Sequence, residues 1–113
     1  MRAVIGVVGF DGMKEAQKDK DGGDSNRTKM KKGQAAMASS EEFGEKVGAV
    51  ETAPFWDMDA EAIYRGPGGW SADVDRWRQF GNDRPYHYYG SPWFFSQAGR
   101  AFGECMLERL DGP

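Results

Sequence analysis

Residues Ala3-Val4-Ile5-Gly6-Val7-Val8-Gly9-Phe10 are apolar without interruption and rich in valine. A strand of alternating polarity keeps one face in water. An unbroken apolar run has no water-facing side and belongs in a parallel sheet covered on both faces. Such a strand needs neighbours. Downstream there is one further strand signal, Val47-Gly48-Ala49-Val50-Glu51-Thr52, closed by Pro54. Two strands are too few for a doubly wound sheet, and both would be bare apolar edges that invite association. The pattern predicts an α/β class with right-handed crossovers, and a chain that reads as part of a larger domain.

Helix signals fill the rest. Residues 11–29 are polar, with Asp11-Gly12 and Asp21-Gly22-Gly23-Asp24 as turns. Ser25 or Asn26 can cap a helix running to about Ala38, whose apolar side is thin. Arg27, Lys29, Lys31 and Lys32 in it read as a solvated face. Ser39 to Glu42 can start a short turn containing Phe43. Residues 57–64 form a short helix with acidic residues in its first turn, as the helix dipole favours, broken by Gly66-Pro67-Gly68-Gly69. Ser71 can cap a third helix, in which Val74, Trp77 and Phe80 recur at helical spacing before Gly81. Ser91-Pro92 is a strong helix start. Phe94, Ala98, Ala101, Phe102 and Cys105 then line one face, and Leu110 ends the run.

At 113 residues the chain is at most one domain. Its 13% aromatic content is too high for a disordered segment. The net charge of −3 offers no electrostatic case for nucleic acid or an anionic membrane surface. No stretch approaches the ~20 apolar residues of a membrane span, and the start lacks a signal-peptide pattern. The single cysteine, Cys105, excludes an internal disulfide and reads as core. With one histidine and one cysteine, a protein zinc site is not expected.

That histidine, His87, lies in Tyr86-His87-Tyr88-Tyr89-Gly90-Ser91-Pro92. Histidine is the side chain best suited to proton transfer near neutral pH, although one histidine alone is as readily structural. Three blocks give it a context. These are Gln34-Ala35-Ala36-Met37-Ala38 with Glu42-Phe43-Gly44; then Val47 and Ala49 to Asp57, which contains Thr52-Ala53-Pro54-Phe55-Trp56-Asp57; then Tyr86 to Ser91 with Gly99-Arg100-Ala101-Phe102-Gly103-Glu104. Together they resemble, in order and over most of the chain, the C-terminal half of the sialate O-acetylesterase-like carbohydrate esterases of the SGNH-hydrolase superfamily. The opening Val4 to Gly9 fits a core strand of that half.

The resemblance implies a partial flavodoxin-like α/β/α sandwich, with residues 1–113 the C-terminal part of one esterase domain lacking its N-terminal strands. It implies a serine esterase that removes acetyl groups from sugars, with no cofactor, and a full-length protein that could be secreted or periplasmic. His87 matches the family's catalytic histidine. Many SGNH enzymes place an aspartate three residues before it. Here that position is Arg84, while Asp83 lies four before, so Asp83 is the first choice for the orienting acid and Asp57 the second. The family's nucleophile follows its first strand in a Gly-Gln-Ser-Asn type block. Gly23-Asp24-Ser25-Asn26 looks similar at a glance, but a nucleophile elbow sits tightly between strand and helix, and a long polar stretch separates Phe10 from Ser25. Ser25 therefore reads as a helix cap, and the nucleophile is expected from an N-terminal segment or a complementary chain. The rival reading is a non-catalytic carbohydrate- or protein-binding module, with Tyr86, Tyr88, Tyr89, Trp93, Phe94 and Phe95 as an aromatic surface. Helical spacing favours core packing for Phe94 and Phe95.

Overall fold

The computed structural model describes residues 2–10, 12, 22–23, 25–81 and 86–111. Its first strand, β1 (Ala3–Val7), runs parallel to β2 (Val47–Glu51), and the helix α1 (Asn26–Ala38) lies between them in the chain. The register pairs Ala3 with Val47, Ile5 with Ala49 and Val7 with Glu51. After β2 come a 3-10 turn at Ala53–Phe55, then α2 (Met58–Tyr64), a second 3-10 turn at Trp70–Asp73, α3 (Val74–Arg78) and the long α4 (Pro92–Asp111). The chain is thus mixed α/β, with four α-helices and a two-stranded parallel sheet among the described residues.

Local signals account for the helix starts. The Ser25 hydroxyl accepts from the Thr28 amide at 3.2 Å and caps α1. Asp57 caps α2 and Asp73 caps α3, each accepting an amide three residues on. The expected cap of the third helix, Ser71, instead lies inside the 3-10 turn. Asp73 won because a carboxylate three residues before Arg76 reaches an orphan amide of the first turn.

β1 is shorter than its apolar run. The Val8 amide donates to Gln34 Oε1 at 2.9 Å, and the Gly9 amide to the Tyr88 hydroxyl at 3.1 Å. Side chains have taken the donors that a longer ladder would use. At Gly9 the backbone closes on Ala53, and a Cβ there would collide with that residue's backbone. Thr52 tightens the same junction, its hydroxyl donating to the Val7 carbonyl at 2.5 Å.

Gly6 and Gly48 mark the face that meets α4. A Cβ on Gly6 would lie 2.6 Å from the Phe102 ring, and one on Gly48 would overlap the Cys105 sulfur. The two glycines share a sheet face, since Gly6 pairs with Val50 and Val4 with Gly48. With strands about 4.8 Å apart, this face is no wider than one helix of about 10 Å. α1, which also packs on both strands, takes the opposite face. Gly48→Val is therefore expected to cost about 1–3 kcal/mol by overpacking. Cys105→Ala in the same chain should recover part of that loss in a urea titration. A neutral Gly48→Val would mean that α4 does not sit where described.

A second cluster lies off the sheet. Trp56, Ala60, Trp77 and Tyr89 are buried together, with Phe10, Ile63, Trp70, Phe80 and Tyr88 packed around them. The strand edges are less well served. β1 is only half-buried along most of its length, and each strand has one unpaired side among the described residues. On α4, Phe95, Phe102, Leu107 and Leu110 are exposed. The Cα radius of gyration is 16.6 Å, against about 13 Å for a compact domain of this length.

Candidate functional site

The turn before α4 carries the only non-glycine residues of positive φ among the described residues. His87, Tyr88, Tyr89 and Gly90 have φ of 49°, 61°, 62° and 62°. Left-handed geometry crowds Cβ against the following carbonyl, so non-glycine residues visit it singly and at a cost of about 1–2 kcal/mol each. Three in succession persist only where their surroundings hold them.

The two tyrosines supply the hold. Tyr88 is stacked between Phe10 and Phe94, with ring centroids 4.4 and 3.9 Å away. Its hydroxyl accepts from the Gly9 amide just past the end of β1. Tyr89 is buried against Trp56, Tyr64 and Trp77 at 4.8, 5.5 and 5.5 Å. Two backbone bonds close the turn, from Gly90 N to His87 O and from Ser91 N to Tyr88 O. His87 itself is exposed. Through Tyr88 the loop is tethered to the carboxyl end of β1, the side of a parallel sheet where ligands gather.

The turn is anchored on its other side by Ser91 and Asp57, both buried. The Ser91 hydroxyl donates to Asp57 Oδ2 at 2.5 Å and accepts from the Phe94 amide at 3.1 Å, capping α4. Asp57 Oδ1 accepts from the Ala60 amide at 2.9 Å, capping α2. One carboxylate therefore ties the N-termini of two helices together. Both helix dipoles favour the negative charge there.

The named candidates are thus dispersed into different roles. Asp57, the second choice for the orienting acid, has both oxygens engaged by Ser91 and the α2 cap. Ser25 caps α1, and its hydroxyl lies 3.1 Å from the Thr28 hydroxyl. Among the described residues, no hydrogen bond or ion pair joins His87 to Asp57 or Ser25. Asp83 lies outside the described residues. The Ser91–Asp57 pair escaped the sequence reading, which took the two residues as the starts of separate helices; residues 34 apart carry no local sign that they are hydrogen-bonded.

The aromatic surface proposed from the sequence is divided by the fold. Tyr89 and Phe94 are buried and Tyr88 is half-buried in the stack, while Tyr86, Trp93 and Phe95 are exposed. The basic cluster on α1 is mostly exposed, with the Arg27 guanidinium 5.3 Å over the Phe10 ring. Cys105 is half-buried against Gly48. Among the described residues, no group of three or more His, Cys, Asp or Glu could hold a metal ion, and no helix is long and apolar enough to cross a membrane. No family model, curated protein or solved structure matches this chain.

Proposed function

We propose that this chain is part of a carbohydrate O-acetylesterase, a piece of a flavodoxin-like SGNH sandwich that contributes the catalytic histidine. The observation that carries the reading is the left-handed turn at His87–Gly90. Strain of this kind clusters at functional sites, and here the chain's one histidine is open to solvent while Tyr88, Tyr89 and Ser91 after it are held by packing and hydrogen bonds. The Tyr86–Ser91 block that resembles the esterases is the same segment.

In this reading His87 takes the proton from a serine hydroxyl as that oxygen attacks the acetyl carbonyl. It then returns the proton to the sugar oxygen as the ester bond breaks. Water, activated by the same imidazole, releases acetate and restores the serine. The serine and its oxyanion donors come from a complementary segment. That segment also completes the sheet beside the unpaired strand edges, where a parallel pair of this kind needs company. The orienting acid is Asp83, since Asp57 is committed to the two helix caps.

Hydrolysis of an acetylated sugar tests this directly, with the chain alone and with the segment encoded immediately upstream. The chain alone is expected to be inactive. The combination should turn over, and His87→Ala should reduce the rate roughly 100- to 10,000-fold. His87→Gly should be equally inactive yet at least as stable, because glycine relieves a strain of about 1 kcal/mol at that φ. Turnover that survives His87→Ala would overturn the proposal, as would activity of the chain alone that Ser25→Ala abolishes.

A further inference from the structure

A groove of about 470 Å³ lies between the turn leading into α2 and the first turn of α4. Its lining includes Trp93, Trp56, Phe80, Met58, Asp57 and Asp59. Two observations define what it can hold. Trp93 is 55% exposed, and among the described rings it stacks on no other. Its backbone is nevertheless fixed, because it sits in the first turn of α4 directly beyond the Ser91–Asp57 tie. The chain therefore presents a flat apolar face in a set place. Asp59 is exposed at the rim and offers carboxylate acceptors.

No lysine or arginine lines the groove among the described residues, so nothing there recruits an anion. A cation is also poorly served. The Asp57 carboxylate is already spent on Ser91 and Ala60, and Asp59 lies in the first turn of α2, where the helix dipole offsets its charge. Nor do Trp56, Phe80 and Trp93 contact one another as rings, so they form an open wall rather than the closed aromatic box that suits a quaternary ammonium. A neutral ring with one apolar face and a hydroxyl edge fits both observations: the face lies on Trp93, and hydroxyls donate to Asp59.

We infer that this groove is a saccharide subsite, which seats a pyranose unit on Trp93 with Asp59 as hydroxyl acceptor. The inference rests on the esterase reading for its choice of a sugar as the relevant polyol, and it places that sugar on the helix that directly follows the His87 turn. A subsite of this size binds one sugar weakly, with a dissociation constant on the order of 1 mM.

The experiment is a titration of the full chain with unacetylated methyl pyranosides, followed through the indole N–H signals of its four tryptophans in a proton–nitrogen correlation spectrum. The Trp93 signal is expected to shift and saturate, with Trp77 unmoved. Trp93→Ala should abolish binding, Trp93→Phe should retain part of it, and Asp59→Asn should weaken it several-fold. These positions are exposed, so the variants keep their fold and their remaining indole signals verify it. Tetramethylammonium is the competing probe. If it moves Trp93 while the pyranosides do not, or if neither moves it, the inference is overturned. His87→Ala should leave sugar binding intact. Sugar binding by a protein without esterase activity would therefore fault the esterase reading alone, and esterase activity without binding at Trp93 would fault the subsite alone.

Discussion

Asp57→Ala is expected to unfold much of this chain at room temperature, whereas Asp57→Asn leaves it folded. The carboxylate makes two buried hydrogen bonds, one to the Ala60 amide and one from the Ser91 hydroxyl. Loss of a helix cap costs about 0.5–2 kcal/mol. Loss of a buried hydrogen bond to a charged group costs about 1.5–3 kcal/mol more. Together they approach the whole stability of a small domain, about 5 kcal/mol at the low end, and few side chains are fully buried among the described residues. Asparagine keeps an oxygen for Ala60, and its amide can donate to the Ser91 oxygen, so its cost is about 1 kcal/mol. Urea titrations read by far-ultraviolet circular dichroism measure both. Ser91→Ala completes a double-mutant cycle, in which a coupling energy of about 1–2 kcal/mol is expected. An Asp57→Ala chain as stable as the parent would mean that α2 and α4 are not joined through this pair.

Trp77→Ala is expected to cost about 3–5 kcal/mol, the range for deleting a buried aromatic side chain. Trp77 is 0% exposed and stands edge-on to Tyr89 at 5.5 Å. Trp93→Ala, on the same scale, should stay within about 0.5 kcal/mol, since its ring is open to water. The contrast has a second readout. Tyr89 is one of the residues that hold the left-handed turn, so the loss of Trp77 should release it. Chymotrypsin should then cut faster after Tyr86, Tyr88 and Tyr89. Trp77→Phe should restore most of the protection. Equal cleavage of parent and Trp77→Ala would show that the turn is held by something other than this cluster.

These two cases mark where sequence reasoning reaches and where it stops. Ser25, Asp57 and Ser91-Pro92 were legible as helix starts because capping is local: the oxygen and the amide it satisfies are three residues apart. Both strands were legible from runs of valine and alanine. The end of β1 was not legible. It depends on Gln34 and Tyr88, side chains far away in the chain that capture the Val8 and Gly9 amides. The division of the aromatics was equally hidden. Helical spacing placed Phe94 correctly inside, but Phe95 and Phe102 share much of its apolar stripe and remain exposed on the flank of the sheet.

At the candidate site, His87 could be singled out because it is alone and sits in a recognisable block, but nothing in Tyr86-His87-Tyr88-Tyr89 announces a left-handed backbone. Glycine and asparagine are the usual signals for it, and only Gly90 at its end supplies one. The strain is tolerated because stacking on Phe10 and Phe94 and burial against Trp56, Tyr64 and Trp77 offset it. Sequence alone determined the α/β class, the starts of α1, α2 and α4 and the identity of the one imidazole, because each follows from side chains acting within a turn or two of themselves. Tertiary structure alone decided that two distant caps are joined by one hydrogen bond, which rings face water and how His87 is presented. Those outcomes depend on contacts between residues tens of positions apart, whose energies exist only once the chain has closed on itself.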